Sequence, residues 1–133
     1  MTLASSLQSQ TTPKTAPSIQ EVYAYIFCSG IKYPDIVLRQ VIWETGWLKS
    51  KHMMHKNNLF GFRHSKQYMH FKSWQESIDY YKNWQLRNYT RPDEDYYTFL
   101  MRMKYATSKK YISSLKSLKV KTDNVDCNEE QAR

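Results

Sequence analysis

The amino-acid sequence predicts an α+β domain that is mainly α, with about five helices and one small β-hairpin. Two observations carry this prediction. Apolar residues recur at helical spacing in five separate segments, and two short aromatic-rich runs between the second and third segments have the pattern of a hairpin. The chain has 133 residues, so one domain can bury a core without needing disulfides or metals.

The first two helices have clear start signals. Ser18-Ile-Gln-Glu21 matches a capping box, and apolar residues follow it at helical spacing as far as Gly30. Pro34 suits the first position of the second helix, where its missing N–H is harmless, and the run continues through Glu44. This second helix is apolar over most of its circumference, so we expect it to be central and largely buried.

The middle of the chain contains a loop, a hairpin and a third long helix. Residues 48–58 are polar and irregular, and we interpret them as a loop, with a loop that contains a helical turn as the alternative. The runs at residues 59–62 and 68–71 predict the two strands of the hairpin. Ser73-Trp-Gln-Glu76 is a second capping box, and the helix that it opens is expected to end near Asn88.

Two shorter helices complete the predicted domain. The acid-rich residues 91–95 favour a helix start, and a final helix carrying Tyr111 and Leu115 follows the link at residues 105–108. We therefore divide the chain into a flexible leader (1–17), one folded domain (18–118) and a polar tail (119–133) that is expected to be frayed.

The two cysteines and the charge constrain the chemistry only loosely. Cys28 and Cys127 make no framework and no metal-ligand spacing, so both are predicted to be unpaired. The sequence shows no transmembrane span and no secretory signal pattern. The net charge of +8 and the pI near 9.5 indicate an anionic partner, which could be nucleic acid, anionic lipid or an acidic cell-wall polymer.

Glu44 is the residue that points most directly to chemistry. It shares a helical face with Val37 and Val41, and Gly46 just beyond it is a natural helix stop. Burial disfavours the carboxylate, and so does the partial negative charge at a helix C-terminus, so both effects raise the pKa of Glu44. A carboxyl that stays protonated can serve as a general acid, whereas the simpler interpretation is an ordinary surface Glu at a helix end.

Four motifs in order give the chain a resemblance to a known family. They are Trp43-Glu-Thr-Gly-Trp47, Asn57-Asn-Leu-Phe-Gly61, Phe71-Lys-Ser-Trp-Gln-Glu-Ser-Ile78 and Tyr105-Ala-Thr-Ser-Lys-Lys-Tyr111. Together they resemble the flagellar and autolysin-type bacterial glucosaminidases, glycoside hydrolase family 73, within the lysozyme-like superfamily. The resemblance spans roughly residues 18–118 and implies a lysozyme-like helical domain that acts on peptidoglycan.

The resemblance also implies roles for individual residues. Glu44 would be the general acid that protonates the leaving glycosidic oxygen, and Tyr105 would assist catalysis or position the substrate. Asn58 and Phe60 would line or brace the cleft. The other expected substrate-binding residues are Trp47 at the helix end and Tyr68 in the hairpin. Core packing is the alternative role for Tyr105, Phe60 and Trp47.

The second carboxylate that glycoside hydrolases usually employ is missing from its expected place. In many relatives it lies between the N-N-L-F-G strand and the following helix, but residues 61–74 contain no Asp or Glu. Three mechanisms therefore remain: hydrolysis assisted by the N-acetyl group of the substrate, transglycosylation or muramidase action with Glu44 as acid and base, and non-catalytic wall binding. Hydrolysis by an endo-β-N-acetylglucosaminidase is the favoured prediction.

Partners and location follow from that prediction. Peptidoglycan glycan strands are the expected partner, at a periplasmic, secreted or cell-wall location. A nucleic-acid or polyanion binder is the rival from another class, although no nucleic-acid-binding signature appears and no nucleic acid is expected. The four histidines, at positions 52, 55, 64 and 70, lack a recognisable ligand set, so neither a metal nor another cofactor is expected.

Overall fold

A computed structural model of the chain describes residues 16–105 and 109–128, and it confirms the mainly helical α+β fold. The predicted leader therefore lies almost entirely outside the described residues. No helix in the described part is both long and apolar enough to cross a membrane. The helices are α1 (Ile19–Cys28), α2 (Pro34–Thr45), α3 (Lys51–His55), α4 (Trp74–Asn88), α5 (Tyr96–Arg102) and α6 (Lys109–Ser117), and the strands are β1 (Arg63–His64) and β2 (Gln67–Tyr68).

The predicted starts of α1 and α2 are confirmed. The hydroxyl of Ser18 accepts a bond from the Glu21 N–H at 3.0 Å, and the Glu21 carboxylate accepts the Ser18 N–H at the same distance, which completes the capping box. Pro34 is the first residue of α2, and Gly46 ends that helix in the left-handed conformation at φ +56°. Local sequence signals therefore fix both ends of the helix that carries Glu44.

The second predicted capping box is only half formed. The Ser73 hydroxyl accepts the Glu76 N–H at 3.1 Å, so Ser73 caps α4 as predicted. The Glu76 carboxylate does not return to Ser73 and accepts the N–H of Lys72 at 3.4 Å. The helix still ends at Asn88, as expected from the sequence.

Residues 46–75, which we call the small lobe, differ most from the prediction. The segment interpreted as a loop contains α3, whose first turn is capped by the Ser50 hydroxyl. The hairpin strands are β1 and β2 rather than residues 59–62 and 68–71, with Ser65 and Lys66 forming the turn at positive φ. The reason is that Leu59 and Phe60 are buried in the core and are not available for a strand at the surface.

The rest of the described chain, which we call the helical body, surrounds α2. Val37, Leu38 and Val41 are fully buried, and α2 packs against both α1 and α6. A buried polar network crosses this core: the Tyr81 hydroxyl donates to Gln40 at 2.5 Å and lies 2.6 Å from the Tyr96 hydroxyl. Because every member of the network has a partner, the network costs little to bury and holds α2, α4 and α5 in register.

The prediction that both cysteines are unpaired is wrong. Cys28 at the end of α1 and Cys127 in the tail form a disulfide that spans 99 residues of sequence. The tail is not frayed over its described residues: Val120 and Val125 pack against the core, and the Asp123 N–H donates to Gln20 at 3.3 Å. Cysteine spacing could not reveal this pairing, because only folding brings the tail back to α1.

Candidate active site

An open cleft of about 760 Å³ lies between the helical body and the small lobe. The body supplies residues from α2, α4 and the ends of α5 and α6, and the lobe supplies the hairpin and the segment before it. The lining is strongly aromatic and contains Glu44, Phe60, Gly61, Phe62, Arg63, Tyr68, Tyr80, Trp84, Met103, Tyr105 and Tyr111. Aromatic faces of this kind can stack on the apolar faces of sugar rings or on other planar groups.

Glu44 projects into this cleft from the last turn of α2 and is half-buried. Burial raises the pKa of its carboxyl, and the charge of Arg63 across the cleft lowers it in part. The sequence predicted the same direction for the pKa from burial. A half-buried carboxyl with a raised pKa retains its proton to higher pH than a surface Glu and is suited to donate it.

Gly61 forms the surface against which the Glu44 carboxylate rests. The glycine has a φ of +72°, and a Cβ added there would lie 2.7 Å from Oε2 of Glu44 and 3.1 Å from its Cδ. Any larger residue would therefore strain the backbone and push the carboxyl away. Gly61 was not predicted as a site residue, although the glycine that ends the Asn57–Gly61 motif was an available signal.

Tyr105 connects the far side of the cleft to the same segment. Its hydroxyl donates to the backbone carbonyl of Phe60 at 2.7 Å, one residue before Gly61. Burial raises the pKa of Tyr105 well above its usual value, with further contributions from Tyr111 and Glu44. Tyr105 therefore stays a neutral hydrogen-bond donor, and it fixes the position of the backbone beside Glu44.

Asn58 and Phe60 brace the cleft in different ways. Asn58 is fully buried, and its side chain makes three backbone hydrogen bonds: it donates to the carbonyls of Phe62 and Met69 and accepts the Phe62 N–H. The ring of Phe60 packs into the core, 4.4 Å from that of Tyr81 between centroids. The core role that the sequence analysis left open for Phe60 is therefore confirmed, and Asn58 supports the hairpin from beneath without lining the cleft.

Tyr68 lines the cleft from β2 together with Arg63 of β1, its partner in the ladder. The Arg63 guanidinium lies 4.4 Å above the Tyr68 ring and donates to the Tyr68 hydroxyl at 2.8 Å. Arg63 was missed by the sequence analysis. Its proximity to Glu44 depends on the hairpin folding across to α2, which no local motif indicates.

Trp47 lies apart from the other candidates. Its side chain is 43% exposed and does not line the cleft, so the core role considered for it is wrong. It has a φ of +61°, and its backbone N–H donates to Ile42 at 3.0 Å just past the helix end. Contact between Trp47 and a substrate remains a prediction.

Five further aromatic and apolar residues complete the cleft and were not predicted as site residues: Phe62 just before the hairpin, and four residues on or next to helices. Tyr111 stacks on Tyr105, with ring centroids 6.3 Å apart and planes inclined by 25°, and Trp84 meets Tyr105 edge-on. Tyr80 and Met103 also line the cleft. Their helical spacing indicated only a buried face, because burial against core and burial against a cleft have the same periodicity.

Glu44 is the only carboxylic acid in the described cleft lining. The nearby acids in sequence are engaged elsewhere: Asp79 accepts a bond from the Tyr25 hydroxyl, Glu94 pairs with Arg102 at 2.9 Å, and Asp95 caps α5. Within residues 16–105 and 109–128, no group of three or more His, Cys, Asp or Glu side chains is arranged to hold a metal ion.

Comparison with known proteins agrees with the resemblance that the four motifs indicated. Residues 24–124 match the family model named Glucosaminidase, described as mannosyl-glycoprotein endo-β-N-acetylglucosaminidase. Comparisons with curated proteins and with solved structures gave no match. The matched region covers most of the chain and includes all four motifs, Glu44 and the complete described cleft lining. This chain therefore belongs to the glucosaminidase family of glycoside hydrolases.

Proposed function

We propose that this protein is a peptidoglycan hydrolase that cleaves the glycan strand after N-acetylglucosamine, with Glu44 as its general acid. The observation that carries the proposal is the half-buried Glu44 carboxyl, with its raised pKa, in an open aromatic cleft. An open cleft suits an endo-acting enzyme, because a long polymer must enter and leave from both ends. Family membership supports the glycosidase class.

In the first step the protonated Glu44 donates its proton to the glycosidic oxygen as the bond from that oxygen to C1 breaks. General acid catalysis of this kind contributes roughly 10² to 10⁴ in rate. Gly61 allows the carboxyl to lie close to the backbone, and the Tyr105 hydroxyl fixes that backbone through the Phe60 carbonyl. The positive charge that develops at C1 must then be stabilised by a second group.

The N-acetyl group of the substrate is the proposed second group, since Glu44 is the only acid in the described cleft lining. The acetamido oxygen attacks C1 as the leaving group departs, which gives a cyclic oxazolinium intermediate and is a recognised alternative to a second carboxylate. Water then attacks C1 and transfers a proton to the Glu44 carboxylate. This step reopens the ring, leaves a reducing N-acetylglucosamine end and restores the acid.

Lytic transglycosylation or muramidase action is the alternative within the same class, and the single carboxylate also favours it. In the transglycosylase reaction Glu44 would protonate the leaving oxygen after a muramyl residue and then accept the proton of that sugar's 6-hydroxyl. The products would carry 1,6-anhydromuramyl ends. A non-catalytic wall-binding or polyanion-binding module is the alternative from another class.

Mass spectrometry of fragments released from purified peptidoglycan tests these possibilities. We expect the wild type to release fragments with reducing N-acetylglucosamine ends, and Glu44→Gln to reduce release by roughly 10² to 10⁴-fold. Asp93→Asn is the matched control, because Asp93 is an exposed carboxylate outside the cleft and its loss should leave release unchanged.

The other outcomes separate the alternatives. Anhydromuramyl ends would identify a transglycosylase, and reducing N-acetylmuramic acid ends would identify a muramidase. If the wild type releases nothing from walls of several compositions, the catalytic proposal is wrong and a binding module is the better description.

A periplasmic, secreted or cell-wall location is part of the proposal, because peptidoglycan lies outside the cytoplasmic membrane. The Cys28–Cys127 disulfide supports this location, since disulfides persist in oxidising compartments and are rare in the reducing cytoplasm. Trapping free thiols in protein recovered from the native host would test it. A protein recovered with both thiols free would argue against export.

A further inference from the structure

The small lobe has an unusual distribution of charge. It contains six of the 20 Lys and Arg residues of the chain, all four histidines and none of the 12 Asp and Glu residues. The helical body carries most of the acids and is close to neutral by comparison. The excess positive charge is therefore concentrated on one side of the cleft. The six cations are Lys49, Lys51, Lys56, Arg63, Lys66 and Lys72.

Packing between α3 and the hairpin makes these cations one surface. The His52 ring meets Tyr68 edge-on at 5.5 Å, and His55 meets His70 at 5.6 Å. The backbone joins there as well, because the Phe71 N–H donates to the Lys56 carbonyl at 2.9 Å. Charges that are separated in sequence are thus held together on a single folded unit.

The lobe does not neutralise its own charge. Five of its six Lys and Arg residues are exposed, and none of the six forms an ion pair with a carboxylate within residues 16–105 and 109–128. Unpaired like charges held on one surface repel each other, so an anionic partner gains from binding there. Arg63 is the member of this charged surface that lines the cleft. The ring and hydroxyl of Tyr68 orient the Arg63 guanidinium there.

We propose that the small lobe is a subsite for the carboxylates of the peptide stems on the glycan strand, with Arg63 as the contact nearest the scissile bond. This inference rests on the proposed function. Peptide stems are attached to the muramyl residues, so a stem-bearing strand bound across Glu44 would place a stem beside the cleft. A stem of about five residues spans roughly 17 Å when extended, which is enough to leave the cleft and reach the exposed lobe.

Stem carboxylates fit this surface better than a diffuse polyanion. A guanidinium fixed by an aromatic ring presents a planar donor edge, which matches a carboxylate in geometry. The remaining cations are exposed lysines that tolerate variation in the rest of the stem. A stem bound in this way would also hold the muramyl sugar in one orientation beside Glu44.

Binding to soluble glycan strands tests the subsite without interference from cleavage. Glu44→Gln provides the background, and the two ligands are strands with their stems and the same strands after an amidase has removed the stems. Three further variants are made in that background: Arg63→Gln, the lobe triple Lys51→Gln/Lys66→Gln/Lys72→Gln, and a control triple Lys109→Gln/Lys119→Gln/Lys121→Gln. The control removes three exposed lysines outside the lobe.

We expect the background protein to bind stem-bearing strands more tightly than stripped strands. The ratio of the two affinities should fall by about threefold in Arg63→Gln and by on the order of tenfold in the lobe triple, as expected for exposed charge pairs. The control triple should keep the ratio. Added salt should also lower the ratio, because it screens exposed charges.

Equal affinity for the two kinds of strand, or the same loss in the control triple, would overturn the subsite. Tighter binding of a phosphodiester wall polymer or of single-stranded DNA would overturn the assignment to stems. The proposed function is tested by a different experiment, and it is wrong if the wild type releases no fragments from purified walls. In that case a ratio that collapses only in the lobe variants would still support the subsite.

Discussion

The two sides of the cleft are held by different kinds of interaction. The helical body is fixed by fully buried apolar side chains, the polar network around Tyr81 and the Cys28–Cys127 disulfide. The small lobe has a sheet of two-residue strands and depends on the side-chain hydrogen bonds of Asn58. Extensive buried packing therefore holds the body, whereas the hairpin is held largely by hydrogen bonds, with the buried amide of Asn58 making three of them.

This difference corresponds to what each side contributes to the site. The body provides Glu44, whose pKa is raised by burial. The rigid packing of the body keeps the carboxyl buried to the same degree. The lobe provides exposed charges and Gly61, and under the proposed function it would meet a polymer of variable substituents. The carboxyl of Glu44 and the backbone of Gly61 form one of the contacts between the two sides, inside the cleft.

Removing the disulfide should have the largest effect, and the effect should be global. A loop of 99 residues is released in Cys28→Ser/Cys127→Ser, which should lower the free energy of unfolding by about 4 kcal/mol. Thermal and urea unfolding measure this loss. Reductant should destabilise the wild type to the same extent and leave the double variant unaffected, and an unchanged midpoint would show that the tail adds nothing to the body.

Gly61→Ala tests the contact between the two sides. The added Cβ would displace the Glu44 carboxyl, and misplacement of a catalytic group by about 1 Å costs on the order of 100-fold in rate. Gly30→Ala is the matched control, since Gly30 also has a positive φ but has nothing within 4 Å of an added Cβ. Both should lose similar stability, and kcat on peptidoglycan should fall only in Gly61→Ala. Equal kcat values would mean that Gly61 does not position Glu44.

Asn58→Ala should loosen the small lobe without unfolding the body. The change leaves the Phe62 N–H and the Met69 carbonyl without their partner, at a cost of about 2–3 kcal/mol, whereas the Phe62 carbonyl keeps its bond from the Met69 N–H. Hydrogen exchange should accelerate at the hairpin amides while the amides of α2 remain protected.

Asn83→Ala is the control for that exchange experiment, because Asn83 is exposed on α4. It should leave hairpin exchange as in the wild type. Equal acceleration in α2 and in the hairpin of Asn58→Ala would show that the two sides unfold together and that the small lobe is not the less stable side.

The smallest expected effect is the shift in the pH dependence of activity in Arg63→Gln. Activity that requires protonated Glu44 falls as pH rises through its pKa, and Arg63 lowers that pKa. Removing the charge in Arg63→Gln should therefore raise the pKa of Glu44 and move the basic limb of the kcat/KM profile to higher pH. Lys121→Gln, an exposed lysine in the tail, should leave the limb in place. A shift to lower pH would contradict the assignment of Glu44 as the acid.

The sequence by itself determined five of the six described helices and singled out Glu44 as the candidate acid. Ser18 and Ser73 satisfy helix N–H groups within one turn, and Pro34 and Gly46 suit the two ends of α2 through their own backbone preferences. These are local interactions, so they can be recognised from neighbouring residues alone. The apolar run around Glu44 likewise indicated a buried carboxyl, and the four motifs led to the correct family.

Only the tertiary structure decided what faces Glu44 and what holds the chain together. Gly61 and Arg63 reach the carboxyl because the small lobe folds against α2, and Cys127 reaches Cys28 because the tail returns along α1. The hairpin register also depends on burial of Leu59 and Phe60 in the core. Each of these features joins segments distant in sequence, and the free energy that selects them comes from packing that a local pattern does not contain.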